Sequence, residues 1–114
     1  MKLEEVARAI SLEVRSAAQK LDVEVTGGYA SDLLSCVMAK ARAGNVWVTL
    51  QSHVNIVAVA NLLDLAGVIV TEGSQLDAAT LERAEAQGVP LLTTPLTSYT
   101  VVGRLYQLGI PGVD

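Results

Sequence analysis

Four glycines, each following a helix-like segment, recur along the chain at intervals of 23, 21 and 21 residues: Gly44, Gly67, Gly88 and Gly109. Glycine directly after a helix takes the left-handed backbone conformation without steric cost. A compact apolar run follows each of the first three glycines. The residues themselves do not recur, so the spacing predicts stacked strand–helix units rather than a sequence repeat.

The predicted strands are short, and three of the four are continuous apolar runs. Such runs are typical of strands that helices cover on both faces, as in a parallel sheet. We therefore predict an α/β fold in a single domain, residues 1–114, with a mostly parallel sheet of four to five strands and alternating helices packed around it. The predicted strands are Val23–Thr26, Val46–Leu50, Val68–Thr71 and Leu91–Thr93, and the predicted helices are Ser31–Ala43, Asn55–Ala66, Asp77–Gln87 and Ser98–Leu108.

The N-terminal segment follows a different pattern. Apolar residues from Leu3 to Ile10 recur at helical spacing and form one stripe of a short helix. Leu12 and Val14 then alternate with polar residues. Because alternation implies one solvated face, this segment is expected at a sheet edge or in a small flap. Asp77 is the expected N-cap of its helix, and Thr97 or Ser98 that of the last helix.

Composition excludes several classes of protein. Mean hydropathy is +0.42 and 51% of the residues are hydrophobic. Charged residues nevertheless interrupt every apolar stretch before it reaches the ~18 to 20 residues that span a bilayer. MKLEEVARAI has acidic residues and no long apolar core, so it is not expected to be a signal peptide. The net charge is −4, with the eight Lys and Arg residues scattered singly. A nucleic-acid interface needs clustered positive charge, so none is predicted.

The single cysteine and the single histidine limit the chemistry further. Cys36 alone cannot form an intrachain disulfide, which favours a reduced, cytoplasmic compartment. With only Cys36 and His53 a zinc cluster is not expected, and no cofactor is predicted. Cys36 lies on a mostly apolar helix face, so a buried, inert thiol is the expectation.

The predicted helix Asn55–Ala66 is apolar nearly all round. Only Asn55, Asn61 and Asp64 are polar. A helix of this kind is buried on more than one side. In a domain of this size a second subunit is one source of that cover, so we predict a homodimer with this helix at or near the interface.

Polar residues collect where the predicted strands end. In an open parallel sheet, ligands bind outside the carboxyl ends of the strands, and each loop there leads into a helix N-terminus that favours anions. The chain therefore predicts a site for a small anion or a nucleotide at this edge. The predicted contact residues are Gly27, Gly28, Gln51, Ser52, His53, Asn55, Thr71, Glu72 and Thr94.

The same residues also fit ordinary turn chemistry, because glycines and small polar residues populate turns in any fold. No catalytic set assembles: there is no GxxxxGK[ST] loop and no GxGxxG fingerprint. Ser52 and His53 are adjacent but have no evident orienting acid, so they do not form a triad. His53 is expected to be a structural or exposed histidine, with a catalytic or phosphoryl-accepting role as the alternative.

The stretch VTGGYASDLLSCVMAKARAGNVWVTLQSHVNIVAVANLLDLAGVIVTEG resembles the DRTGG domain. The resemblance covers roughly residues 25–110 and implies a fold similar to the N-terminal region of HPr kinase/phosphorylase. The eponymous letters are absent: Gln51–Ile56 stand in their place, and Thr71-Glu72-Gly73 forms a related turn. The resemblance implies a stand-alone, non-catalytic regulatory or dimerising module.

Three functions are therefore carried forward. The first is a regulatory or sensing module that forms a homodimer and binds a small anionic ligand, a nucleotide or a partner protein at the carboxyl edge of the sheet. The second is a phosphoryl-relay or enzymatic subunit that uses His53. The third is a structural domain that only mediates assembly.

Overall fold

Five strands form one sheet in the computed structural model, which describes residues 1–114. In chain order the elements are α1 (Leu3–Ile10), β1 (Glu13–Val14), a 3₁₀ turn (Ala18–Lys20), β2 (Gly27–Ala30), α2 (Leu34–Lys40), β3 (Asn45–Thr49), α3 (Asn55–Leu63), β4 (Gly67–Val70), α4 (Ala78–Gln87), β5 (Leu91–Thr93) and α5 (Ser98–Gln107). The sheet order is β1-β5-β4-β3-β2. Only β1 is antiparallel to its neighbour, so the predicted α/β class and mostly parallel sheet are confirmed.

The three helices between parallel strands lie in one layer. Strands β2 to β5 are neighbours in sequence order. Right-handed crossovers in one direction therefore place α2, α3 and α4 side by side on the same face, and α3 packs against both of the others. Helices α1 and α5 cover the opposite face. None of the helices is both long enough and apolar enough to cross a bilayer.

Each central strand contributes to two separate cores. Val46 and Val48 of β3 pack with α1 and α5, whereas Trp47 packs with α2 and α3. All five residues of β3 and all four of β4 are buried. The continuous apolar runs of the sequence therefore correspond to strands covered on both faces, as predicted.

Helix starts and the N-terminal segment also follow the sequence pattern. Asp77 caps α4 by accepting a hydrogen bond from the backbone N–H of Thr80, at 2.8 Å. Thr97, one of the two predicted residues, caps α5 through the N–H of Thr100. Strand β1 lies at the sheet edge and pairs antiparallel with β5, as the alternation of Leu12 and Val14 indicated.

Three of the four spaced glycines have the predicted left-handed backbone, and Gly67 does not. Helix α3 ends at Leu63, and Asp64 takes the left-handed position with φ of 56°. Gly67 is the first residue of β4, where a Cβ would lie 3.1 Å from Leu3 Cδ2 and 3.2 Å from the Pro90 carbonyl oxygen. The missing side chain of Gly67 therefore allows these neighbours to pack closely and has no role in a turn.

The prediction of a first strand at Val23–Thr26 is wrong. The strand in this part of the chain is β2, Gly27–Ala30, which follows that segment and pairs in parallel with β3 from Asn45 onward. The Gly28 N–H donates to the Pro111 carbonyl at 2.8 Å, so the C-terminal segment covers part of this edge strand. Gly27 and Gly28 thus open β2 at the amino edge of the sheet, opposite the edge where they were predicted.

The apolar composition of α3 has a cause within the chain. As the middle helix of its layer, α3 buries Ile56, Val57, Val59 and Ala60 against the sheet and its neighbours. Its outer face leaves Leu62 exposed. A second subunit is therefore not needed to explain this helix, and the homodimer stays a prediction. Cys36 on α2 is half-buried rather than buried.

Candidate functional site

Four loops meet at the carboxyl edge of the parallel strands. They follow β2 at Ser31, β3 at Leu50, β4 at Thr71 and β5 at Thr94. Because β1 runs antiparallel, with Glu13 opposite Thr93, the start of β1 lies at the same edge. This edge therefore combines the expected loops with a segment from the N-terminal region of the chain.

Asp32 joins the β2 loop to the β3 loop. Its Oδ1 accepts hydrogen bonds from the Thr49 hydroxyl at 2.8 Å and the Leu50 N–H at 2.9 Å. The Asp32 carbonyl accepts from Gln51 Nε2 at 3.0 Å. Gln51, a predicted contact residue, is thus occupied in holding two loops together.

Thr71 and Glu72 join the β4 loop to the start of α5. The buried Thr71 hydroxyl lies 2.6 Å from the Ser98 hydroxyl, and Glu72 Oε2 accepts from the Ser98 N–H at 3.0 Å. A carboxylate already sits at the positive end of the α5 dipole, so this helix start is not open to an external anion. The left-handed backbone of Glu72, with φ of 64°, helps to place its side chain there.

A further bond ties the β4 loop to the β3 loop. The Ser74 hydroxyl donates to the Leu50 carbonyl at 2.9 Å. The Thr71 hydroxyl also donates to the Thr49 carbonyl at 3.3 Å, so bonds involving side chains run in an unbroken series from Asp32 through Thr49 and Thr71 to α5. The carboxyl edge is therefore a connected polar surface in which movement of one loop strains the next.

The turn between β3 and α3 carries three predicted residues, Ser52, His53 and Asn55. His53 is exposed, and its Nδ1 accepts a hydrogen bond from the Asn55 N–H at 3.2 Å. The N-cap residue Val54 has no capping side chain, so the His53 imidazole takes that place, and the first turn of α3 contains no acidic residue. Unlike α5, this helix start faces solvent without a neutralising carboxylate.

Asp77 is the acidic group near His53 that sequence reasoning did not find. The hydrogen bond from the Thr80 N–H is the main cause that lowers the pKa of Asp77; desolvation opposes it, and His53 adds a smaller lowering effect. The effect of His53 on this pKa is the smallest of the causes, and it indicates that the β3 and β4 loops bring two residues that are far apart in sequence towards each other.

A cavity of about 380 Å³ opens at the β5 end of this edge. No hydrophobic residue lines it. The lining residues are Ser11, Glu13, Arg15, Gly73, Ser74, Gln75, Thr93, Thr94 and Pro95. The Arg15 side chain is 30% exposed and lies 3.9 Å from the more exposed Glu13, at the outer limit of an ion pair. The Arg15 guanidinium is therefore the cation that a ligand in the cavity would meet.

The structure divides the predicted contact residues into four groups. The cavity is lined by Thr94, and the bonded network contains Gln51, Thr71 and Glu72. The turn before α3 carries Ser52, His53 and Asn55. The opposite edge of the sheet carries Gly27 and Gly28. Their role in binding a ligand stays a prediction. No group of three or more His, Cys, Asp or Glu side chains could hold a metal ion.

Sequence reasoning missed Arg15, gave Asp32 no role in joining loops, and considered Ser98 only as a candidate N-cap, which the structure assigns to Thr97. Arg15 follows the alternating segment that was expected at a sheet edge, so its position beside β5 had a partial signal. Asp32 and Ser98 had none, because their partners come from other strands.

Comparisons with known proteins agree with this topology. A family model described as the DRTGG domain matches residues 5–108. Among solved structures, the CBS and DRTGG domains of the regulatory region of a Clostridium perfringens pyrophosphatase, complexed with the activator diadenosine tetraphosphate, are similar in fold. The TM-score is 0.75 at 18% identity, over 96% of this chain and 47% of that chain. The chain thus spans about half of that structure. No curated protein matches the chain.

Proposed function

Because this chain belongs to the DRTGG domain family, we propose that it is a non-catalytic regulatory module that forms a homodimer and binds a small anionic ligand at the carboxyl edge of its sheet. The similar Clostridium perfringens region is regulatory and binds a nucleotide activator. That likeness supports regulation as the function and a phosphate-bearing ligand as the class to test.

The observation that carries the proposal is the polar cavity beside Arg15. Its volume of about 380 Å³ lies within the usual range for small-molecule sites. The Thr93 and Thr94 residues contribute hydroxyl groups to a lining that contains no hydrophobic residue. A guanidinium fork pairs with two phosphate oxygens at once, which a hydrated ammonium cannot do. Exposed Glu13 can turn away when an anion enters, because its contact with Arg15 is long.

The bonded network supplies a route from that cavity to the rest of the domain. Ser74 lines the cavity and also bonds the β3 loop. Thr71 and Glu72, on the same loop, hold the first residue of α5. A ligand that shifts Gly73 or Ser74 would therefore move both the β3 loop and the start of α5. This is the connection that a sensing module requires.

A thermal-shift screen with inorganic phosphate, ATP and diadenosine tetraphosphate tests the proposal. A ligand present at 100 times its dissociation constant adds about 2.7 kcal/mol, which raises the midpoint of a domain of this size by several degrees. The shift is expected to disappear in Arg15→Gln and to persist in Arg83→Gln, which removes an exposed arginine of α4. Equal loss in both variants would indicate a general charge effect. A flat screen with the wild-type protein would favour a domain that only mediates assembly.

A phosphoryl-accepting role for His53 is the second candidate, and one observation favours it. The His53 side chain is exposed and lies at the start of α3, whose first turn contains no acidic residue. The positive end of the α3 dipole would favour a phosphoryl group on the ring. In that reaction an N–P bond forms while the donor loses a P–O bond. Incubation with labelled acetyl phosphate, with His53→Ala as control, tests it: no label on the wild-type protein would remove this candidate.

A further inference from the structure

The outer face of α5 carries the most exposed aromatic side chains of the chain. Tyr99 is 89% exposed, Tyr106 is 74% exposed and Val102 is 40% exposed. Spacings of three and four residues place these three on one face of the helix. The opposite face of α5 is buried through Val101 and Leu105. The exposed stripe is therefore additional to the surface that attaches α5 to the sheet.

Gly103 lies within the same stripe, between the two tyrosines. A Cβ built at Gly103 would meet no atom within 4 Å, and its backbone does not have the positive φ that favours glycine. Glycine in an exposed helix interior destabilises the helix relative to alanine. Nothing in this chain requires the glycine, whereas the close approach of another backbone would.

We propose that the homodimer forms through the α5 face, defined as Tyr99, Val102, Gly103 and Tyr106, with the two copies crossing at Gly103. This inference rests on the proposed function, which supplies the dimer but not its surface. The face is self-complementary, because Tyr99 and Tyr106 lie on either side of the gap that Gly103 leaves. A second copy related by a two-fold axis can place its own helix across that gap. Such an isologous contact uses the same patch on both subunits.

The area and the charge of this face both favour a second copy as the occupant. The two tyrosines together expose about 300 Å², taken from the typical surface of an aromatic side chain. A stable interface buries about 800 Å² per partner, so the tyrosines would supply the apolar centre, less than half of the area, and the remainder would have to come from surface beside α5, such as helix α1. Arg104 is the only charged residue of α5. Interface centres are depleted in charge, and the α5 face, which contains no charged residue itself, gives a charged partner little to recognise.

Helix α3 is the rival surface and offers less. Its outer face exposes Leu62, at 69%, and on the neighbouring helix α2 the N-cap residue Leu33 and Met38 are 60% and 48% exposed. These aliphatic side chains are distributed over two helices and include no aromatic residue, and singly exposed aliphatic residues are common on monomer surfaces. Leu62 therefore provides a matched control with a similar degree of exposure on a different helix.

Sedimentation equilibrium of the full chain at micromolar concentrations tests the surface. The wild-type protein and Leu62→Glu are expected to be dimers, and Tyr106→Glu is expected to be a monomer with an unchanged circular dichroism spectrum. A monomeric wild-type protein would remove the homodimer from the proposed function. A dimer that survives Tyr106→Glu but is lost in Leu62→Glu would overturn the α5 inference and leave the homodimer standing.

Gly103→Ala gives a second test that does not depend on a disruptive charge. Alanine improves the helix of the monomer but fills the gap, so we expect a higher melting temperature at dilution together with at least a tenfold weaker dimer. In a Cys36→Ser background, Gly103→Cys is expected to form a disulfide-linked dimer on oxidation and Leu62→Cys is not. Crosslinking of Leu62→Cys alone would contradict the inference.

Discussion

Replacing Asp32 by alanine removes the acceptor that joins the β2 and β3 loops. Two hydrogen bonds are lost, from the Thr49 hydroxyl at 2.8 Å and from the Leu50 N–H at 2.9 Å. The Thr49 side chain is buried, whereas Leu50 is exposed. Water can replace the carboxylate at the Leu50 N–H, but it reaches the Thr49 hydroxyl less easily. The loss in the free energy of unfolding therefore comes mainly from the bond to Thr49.

The magnitude follows from those two bonds. Hydrogen bonds to a charged group contribute about 1.5 to 3 kcal/mol when shielded and less when water competes. The exposed Leu50 bond is expected to contribute little, so the total loss is about 2 kcal/mol. A domain of this size changes its melting temperature by roughly 4 °C per kcal/mol. We expect the midpoint of Asp32→Ala to fall by about 8 °C.

Urea unfolding of a double-mutant cycle isolates the bond. Asp32→Ala and Thr49→Val are measured alone and together, with Asp22→Ala as a control that removes an exposed carboxylate elsewhere. We expect a coupling energy of about 1 kcal/mol between positions 32 and 49. A loss in Asp32→Ala no larger than in Asp22→Ala, or additive effects in the cycle, would refute the view that Asp32 holds the loops together.

Three further substitutions test other parts of the structure. Gly67→Ala places a methyl group 3.1 Å from Leu3 Cδ2 and should lower the free energy of unfolding by about 1 to 3 kcal/mol through overpacking. If urea unfolding shows that the variant is as stable as the wild-type protein, the close packing is contradicted. Thr97→Ala removes the cap of α5 and should cost about 1 kcal/mol, measured in the same way against the conservative Thr97→Ser. The lowered pKa of Asp77 stabilises the fold above the unfolded value of about 3.9, and this stabilisation is lost as the pH falls through the folded pKa. Asp77→Asn should therefore show a flatter decline in urea midpoint below about pH 4 than the wild-type protein, and an identical decline would contradict the assignment.

Strands buried on both faces could be located from the sequence, and the edge strand could not. Strands β3, β4 and β5 each contain a continuous apolar run because helices cover them on both sides. Strand β2 begins with Gly27 and Gly28, which have little intrinsic preference for a strand. Its conformation comes from pairing with β3 and from the Pro111 carbonyl, and neither partner is visible in a local window. The Val-Glu-Val pattern of residues 23–25 therefore gave the stronger but misleading signal.

The candidate site could be predicted as an edge but not as a cavity. Strand ends and helix starts identify the loops, because these features are local. Arg15 reaches the cavity only because β1 pairs antiparallel with β5, a contact between distant parts of the chain. The same limit applies to α3, whose apolar surface indicated a partner subunit but is buried by its own neighbours.

Amide chemical-shift mapping with diadenosine tetraphosphate, and with inorganic phosphate as the smaller probe, would locate the ligand most directly. We predict saturable shifts concentrated at Arg15, Gly73, Ser74 and Thr94, with smaller ones at Ser98 through the bonded network. These shifts should be lost in Arg15→Gln. Saturable shifts confined to Gly27 and Gly28 at the opposite edge, or no shifts with either probe, would contradict an anion-sensing carboxyl edge.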